Sequence, residues 1–284
     1  MTDFSNVLLL ADFDRTLTDT NSRIPARNLE AIRAFTEAGG AFTVATGRSI
    51  PMFRARAAEI PYNVPLILYN GAGAYDYRTE RLEDAVPMPN APALIAWLAE
   101  EFPDLNLEIQ GVQRHLLFGE NPLRDRFYRS NRTEFVHITQ QELPERILKV
   151  SLLGSFRDDT VRQFFTDENP AQIARFDEVV RRIGAEWPTL VADRSAQRIL
   201  DIQHRSATKG AAARRLAQRL GRSLLVCAGD ARNDLTMLLE ADLAFAPADC
   251  EQAVRDAGVR LVCPCGDGAV ADVIDALARM CAAD

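Results

Sequence analysis

The chain has 284 residues, of which 47% are apolar and 26% charged, and its formal net charge is −7. That length calls for one large or two moderate domains, and the acidic balance speaks against a nucleic-acid binder, which would carry a basic patch. No low-complexity tract, fixed-period repeat, basic N-terminal region, signal-length apolar stretch or membrane-length apolar run is seen, so the reading is a cytoplasmic protein with no membrane partner.

The apolar run Val7 to Leu10 predicts a first strand, and ADFDRTLTDT then brings in Asp12 and Asp14. ARNLEAIRAFTEAGG predicts a helix, with Leu29, Ile32 and Phe35 at three-residue spacing and Gly39-Gly40 as its stop. AFTVATGR and VPLILYNGAGAYDY open on further strand-like runs. Strands that read as continuous hydrophobic runs are buried on both faces, as parallel strands are. The strand-helix-strand order therefore predicts an α/β fold with a doubly wound, mostly parallel sheet.

From about Pro87 to about Gln203 the texture changes. RHLLFG, ILKVSLLG, TLVAD and QRILDI are shorter and alternate more, with helical stretches around 91–101 and 171–183. An inserted α+β unit, residues 87–203, is expected within an α/β core made of residues 1–86 and 204–284. The earlier rhythm then returns, with TKGAAARRLAQRLG, NDLTMLLEAD, EQAVRDAG and AVADVIDALARM as helices and SLLVCAGD, LAFAP and VRLVCP as strands. The five cysteines, an odd number, read as free thiols. Cys263 and Cys265 form the only close pair, and His115, His137 and His204 do not complete a metal site with them.

Chemistry concentrates where strands of the α/β blocks meet their loops: Asp12-Phe13-Asp14 with Thr16, Thr46-Gly47-Arg48, and Gly229-Asp230 with Asn233-Asp234. Lys209 stands just ahead of a helix. Open α/β sheets bind ligands outside the carboxyl ends of their strands near a topological switch point, so these pieces can converge. Four converging carboxylates repel one another unless a divalent cation neutralises them, and an all-oxygen set rich in Asp suits Mg²⁺. Such an ion needs two or three of the acids. The remainder are available as a nucleophile toward phosphorus or as a general acid/base, and a Thr hydroxyl and a Lys ammonium suit phosphoryl oxygens. Singly, each piece has an ordinary explanation: paired Asp make Asx turns, Asn233-Asp234 can cap the following helix, and Thr46-Gly47 is a common turn pair. Lys209 fits less easily, because a cation in the first helical turn opposes the helix dipole.

In this order, DFDRTLTD, VATGR, TKG and GDARND resemble the motifs of the haloacid-dehalogenase-like phosphatase superfamily. The branch resembled carries a large α+β cap between its second and third motifs and contains the Cof-type sugar-phosphate phosphatases, sucrose-phosphate phosphatase and phosphomannomutases. The resemblance spans the chain, including NGAGAY after the third strand. It implies Asp12 as nucleophile and Mg²⁺ ligand, and Asp14 as general acid/base with its carbonyl near the metal. It further implies phosphate binding by Thr46, Gly47 and Lys209, metal binding by Asp230 and Asp234, and a place for Asn233 in the metal and phosphate shell. The implied activity is Mg²⁺-dependent hydrolysis of a small phosphorylated metabolite, foremost a sugar phosphate, through an aspartyl phosphate; a monomer or small homo-oligomer is expected, with nothing in the sequence that fixes which. A phosphomutase or phosphotransferase would share that chemistry. A non-catalytic phospho-acceptor or ligand-binding regulator is the reading from another class, and the insertion and the second acid at Asp14 speak against it.

Two segments depart from the family pattern. Arg15 stands where Gly is usual, which calls for either a negative φ or accepted strain. FAPADC replaces a Gly-Asn-Ala stretch. In RDRFYRSNR, Arg124, Arg126, Arg129 and Arg132 are expected on a solvated face, the alternative being a grip on an anionic part of the substrate. NGAGAY lacks the third glycine of a dinucleotide fingerprint, so no nicotinamide cofactor is expected.

Overall fold

The structure is a computed structural model that describes residues 2–130, 133–154, 170–196 and 198–281. In chain order the first block holds β1 (Val7–Asp12), α1 (Ala26–Glu37), β2 (Ala41–Ala45), α2 (Ile50–Ala57), β3 (Leu66–Leu68), β4 (Gly73–Asp76) and β5 (Arg81–Glu83). The middle block holds α3 (Ala91–Glu101), β6 (Asn106–Gly111), β7 (His115–Phe118), α4 (Pro122–Ser130), β8 (Phe135–Ile138), β9 (Ile147–Leu153), α5 (Pro170–Glu186), β10 (Leu190–Ala196) and β11 (Ile199–His204). The last block holds α6 (Lys209–Arg219), β12 (Leu224–Ala228), α7 (Leu235–Glu240), β13 (Leu243–Pro247), α8 (Gln252–Asp256), β14 (Arg260–Val262) and α9 (Ala269–Cys281).

The chain divides into two compact units. The first takes Met1–Gly47, Ala55–Asp84 and Ala207–Asp284, the second Arg48–Arg54 and Ala85–Ser206. In the first, the eight-stranded order is β14-β13-β12-β1-β2-β3-β4-β5. Pairing is parallel from β14 to β3 and antiparallel through β4 and β5. The fold is therefore the α/β class with a mostly parallel sheet. β1 is buried at all six positions, which is why VLLLAD runs apolar until its last residue. Leu8 and Leu10 share an apolar cluster with Ala213 and Leu216 of α6 and Met237 and Leu238 of α7, while α1 lies beside α9. Burying each such leucine stabilises by about 1.5–3 kcal/mol.

The order reverses around β1: the chain moves outward through β2 and β3 on one side, then returns to β12 on the other. Register places Asp12 opposite Ala45 and Ala11 opposite Ala228. The loops leaving β1, β2 and β12 thus emerge side by side, as the switch-point rule requires of a binding site.

The second unit holds the order β10-β11-β9-β6-β7-β8, antiparallel except between β7 and β8. Its apolar core gathers Leu94, Ile95 and Leu98 of α3, Phe176 and Val179 of α5, and the sheet residues Ile109, Val150 and Leu152. The solvated-face expectation fails for Arg124, which is 1% exposed. Phe127 and Tyr128 lie three and four residues on, hence on the same helical face, and they pack inward with Leu117 and Leu153. The buried guanidinium donates to the carbonyls of Phe118 and Gly119 at 3.2 and 2.7 Å. Arg126 and Arg129 are exposed, Arg129 lying over the Phe135 ring, and Arg132 lies outside the described residues. No helix among the described residues is long and apolar enough to cross a membrane.

Candidate active site

Beyond Asp12 the chain enters an irregular turn, Phe13–Leu17, in which Asp14 is extended (φ −78°, ψ 126°) and Arg15 is left-handed (φ 61°, ψ 12°). The turn is closed by Thr18, whose hydroxyl accepts the Arg15 amide at 3.2 Å and whose amide donates to the Phe13 carbonyl at 3.0 Å. Arg15 therefore accepts the strain, about 1–2 kcal/mol for an L residue. Its half-exposed side chain places Nε 3.9 Å from Asp230 Oδ2 and Nη2 3.5 Å from the Asp249 carbonyl.

At the centre, carboxylate oxygens of Asp12, Asp230 and Asp234 lie within 4.8 Å of one another, all three residues buried. Thr208 caps α6, accepting the Ala211 amide at 3.1 Å, and so fixes Lys209 at the first helical position. The Lys209 ammonium donates to Asp12 Oδ1 at 2.6 Å and to Asp234 Oδ1 at 2.7 Å. Those two contacts supply the anionic partner that a cation against a helix dipole requires. The other Asp234 oxygen accepts the amides of Asp230 and Ala231 at 3.0 and 3.1 Å, so this side chain turns back on its own loop and does not cap α7. The Thr16 hydroxyl donates to Asp230 Oδ1 at 2.9 Å, tying the first motif to the last.

The electrostatics follow from crowding. Burial, then the neighbouring Asp234, pushes the Asp12 carboxyl well above the usual range, and Lys209 only partly opposes them. Asp230 is pushed up to about 7 by burial and then by Asp234, against the Thr16 hydroxyl and Arg15. Burial works against the Lys209 charge, but Asp12 and Asp234 outweigh it and hold the ammonium above the ordinary lysine range. One ammonium facing three buried carboxylates leaves negative charge uncompensated, and hard oxygen donors so grouped can hold a divalent cation.

The remaining residues singled out from sequence stand around this centre. Asp14 is half-buried, and its charge adds to the upward pressure on Asp12. Thr46 is 2% exposed and follows directly on β2; its amide donates to Ile67 O at 2.9 Å and its carbonyl accepts the Asn70 amide at 3.0 Å. Gly47 comes next, its Cα backing onto the Asn70 side chain. Asn233 is half-buried in the Arg232–Asp234 turn. Sequence reasoning did not find the Thr16–Asp230 bond, the Thr208 cap or the part taken by Asn70. The cap had a local signal, a Thr one residue before a helical pattern, whereas the other two depend on contacts far apart in the chain.

Residues 9–274 match the family described as haloacid dehalogenase-like hydrolase. The Bacillus subtilis protein named "Putative phosphatase YxeH" is 26% identical over 261 residues, covering 88% of this chain and 90% of its own. Among solved structures, a haloacid dehalogenase-like hydrolase from B. subtilis is similar with a TM-score of 0.78 at 19% identity, over 95% of this chain and 99% of that one. The HAD subclass IIB sugar phosphatase BT4131 gives 0.75 at 19% identity, over 95% and 98%. The structural likenesses carry the fold, and the family match runs from within β1 to within α9. The chain belongs to the haloacid dehalogenase-like hydrolases.

Proposed function

We propose that this hydrolase is a Mg²⁺-dependent phosphatase of a small phosphorylated metabolite, foremost a sugar phosphate, acting through transfer of the phosphoryl group to Asp12. The observation that carries the reading is the excess of buried carboxylate over ammonium at the ends of β1 and β12. The donor set suits Mg²⁺: Asp12, Asp230 and Asp234 would hold the ion, with Asp14 offering its carbonyl. Bound there, the ion would neutralise the acids and polarise the phosphoryl oxygens.

Asp12 Oδ attacks phosphorus, forming the Oδ–P bond as the ester P–O bond breaks, and Asp14 gives its proton to the departing oxygen. Water then attacks the same phosphorus, its proton passes to Asp14, and the Oδ–P bond breaks to release inorganic phosphate. Lys209 holds Asp12 in place and spreads the developing charge, while the Thr46 hydroxyl, the Gly47 amide and Asn233 receive phosphoryl oxygens. We assign the inserted region, residues 87–203, the role of a cap that selects the substrate and excludes bulk water. The choice of sugar phosphates is supported by the fold shared with a solved sugar phosphatase.

The test is release of inorganic phosphate from a panel of phosphorylated sugars, polyols, nucleotides and an aryl phosphate, with Mg²⁺ and with chelator. Release that chelator stops supports the reading. Full activity in excess chelator removes the metal, isomerised sugar phosphate without release indicates a mutase, and no turnover of any ester leaves a phospho-acceptor.

A further inference from the structure

Between β3 and β4 the chain turns through Tyr69, Asn70 and Gly71, whose φ angles are 54°, 54° and 104°. An Asn-Gly pair with positive φ is normal for the tight turn of a hairpin, and the Ala72 amide closes that turn on the Tyr69 carbonyl at 3.1 Å. Tyr69 is different: a fully buried aromatic residue in the left-handed region, which the hairpin does not require. What surrounds the turn suggests why it is held so firmly.

The turn bears on the loop after β2. The Asn70 amide donates to the Thr46 carbonyl at 3.0 Å, and a Cβ on Gly47 would lie 2.7 Å from Asn70 Oδ1. It also bears on the start of α6. A Cβ on Gly71 would lie 2.2 Å from the Thr208 carbonyl oxygen and 2.8 Å from the Lys209 amide nitrogen. Both neighbours are backbone, so the approach leaves no room for adjustment by a side-chain rotation. The two segments assigned to phosphate binding, which are far apart in sequence, thus both rest against one three-residue turn.

We infer that Asn70 and Gly71 are positioning residues: the Tyr69–Gly71 turn is a template that sets Thr46–Gly47 and Thr208–Lys209 at a fixed separation. Asn70 defines the floor under the Gly47 amide, and the missing side chain of Gly71 lets the Lys209 end of α6 close in. Only the activity readout of this inference rests on the phosphatase reading.

Asn70→Gly separates the template from a mere hairpin turn, because glycine accepts a φ of 54° without strain. If the turn serves the hairpin alone, the variant keeps the wild-type melting temperature and the wild-type kcat/KM, and the inference is overturned. The template predicts an unchanged or higher melting temperature with kcat/KM lowered roughly tenfold to a hundredfold, mostly through kcat. Amide exchange provides a readout independent of turnover. Asn70→Gly keeps the backbone amide bonded to Thr46 but removes the side chain against Gly47, so it should speed exchange at Gly47, and Gly71→Ala should speed it at Ala212, whose amide is held by the Thr208 carbonyl at 3.0 Å. Should the wild type hydrolyse no phosphate ester, the phosphatase reading falls while exchange still decides this one. Wild-type exchange at Gly47 or at Ala212 in the respective variant would overturn it.

Discussion

In the parallel-sheet unit, Asp12, Asp230 and Asp234 lie within 4.8 Å of one another, and the Lys209 ammonium binds two of them, Asp12 and Asp234. In the antiparallel unit, Lys149 meets Asp201 at 2.8 Å with both side chains 4% exposed, and the Ser151 hydroxyl donates to the same carboxylate at 2.6 Å. Gln110 extends that chain, donating to Ser151 at 2.9 Å. Both regions bury charge, but in the second a cation and an anion meet directly within the sheet, whereas in the first three carboxylates crowd around one ammonium. A buried cation and anion in direct contact offset each other's desolvation. A crowded set of acids stays folded by raising its carboxyl pKa values, as Asp12 and Asp230 do, or by taking up a cation.

The contrast is broken most severely at Lys209. Lys209→Met removes the ammonium facing three buried acids, and metal-free protein should lose roughly 3–5 kcal/mol in denaturant unfolding, with turnover falling below detection. Added Mg²⁺ should restore part of that stability but none of the turnover.

Lys149 and Asp201 sharpen it from the other side. Asp201→Leu alone strands a buried ammonium and should also lose about 3 kcal/mol, whereas Lys149→Met with Asp201→Leu should return to within about 1 kcal/mol of wild type. A double variant no better than the single one would mean that the direct pairing does not account for the cost of losing either charge.

A smaller effect follows from pH. The folded-state pKa of Asp230 is raised to about 7, above its unfolded value, so between about pH 4 and 7 the folded metal-free chain binds more protons than the unfolded one. Its contribution to stability is therefore present at low pH and lost as pH rises through 7, and Asp12 acts in the same direction. Metal binding needs the deprotonated acids. The rise in melting temperature on adding Mg²⁺ should be slight at pH 5 and several degrees at pH 8, and a shift independent of pH would contradict the charge excess.

The smallest effect is expected at Arg15, where the chain is left-handed and the ion pair with Asp230 is long and half-exposed. Arg15→Gly removes the strain and a contact worth little, so a gain of about 0.5–1 kcal/mol is expected in metal-free protein.

Much of this was legible in the sequence for identifiable reasons. β1 reads as a continuous run because both of its faces are covered, and Gly39 marks the end of α1 because the chain takes φ 90° there. The acids and Thr46 announce themselves because they end or follow apolar runs at the strand ends, and Lys209 because a cation in the first helical turn opposes the helix dipole. Arg124 misled because periodicity gives the face of a helix but not what that face meets; its partners are carbonyls at the end of β7. Neither the left-handed Arg15 nor the approach of Gly71 to Thr208 is encoded locally, since each is imposed by segments that the fold brings in from elsewhere.

The central claim is that Asp12 attacks and Asp14 moves the proton. It is tested most directly by rapid acid quench and mass spectrometry of Asp14→Asn incubated with Mg²⁺ and an acyl or nitrophenyl phosphate, whose leaving groups need no protonation. Attack should survive while hydrolysis of the intermediate slows by something like 10²- to 10⁴-fold. Phosphate should therefore accumulate on Asp12, and Asp12→Asn should neither turn over nor take up phosphate. Phosphate found on any other residue, or wild-type turnover by Asp12→Asn, would contradict the account.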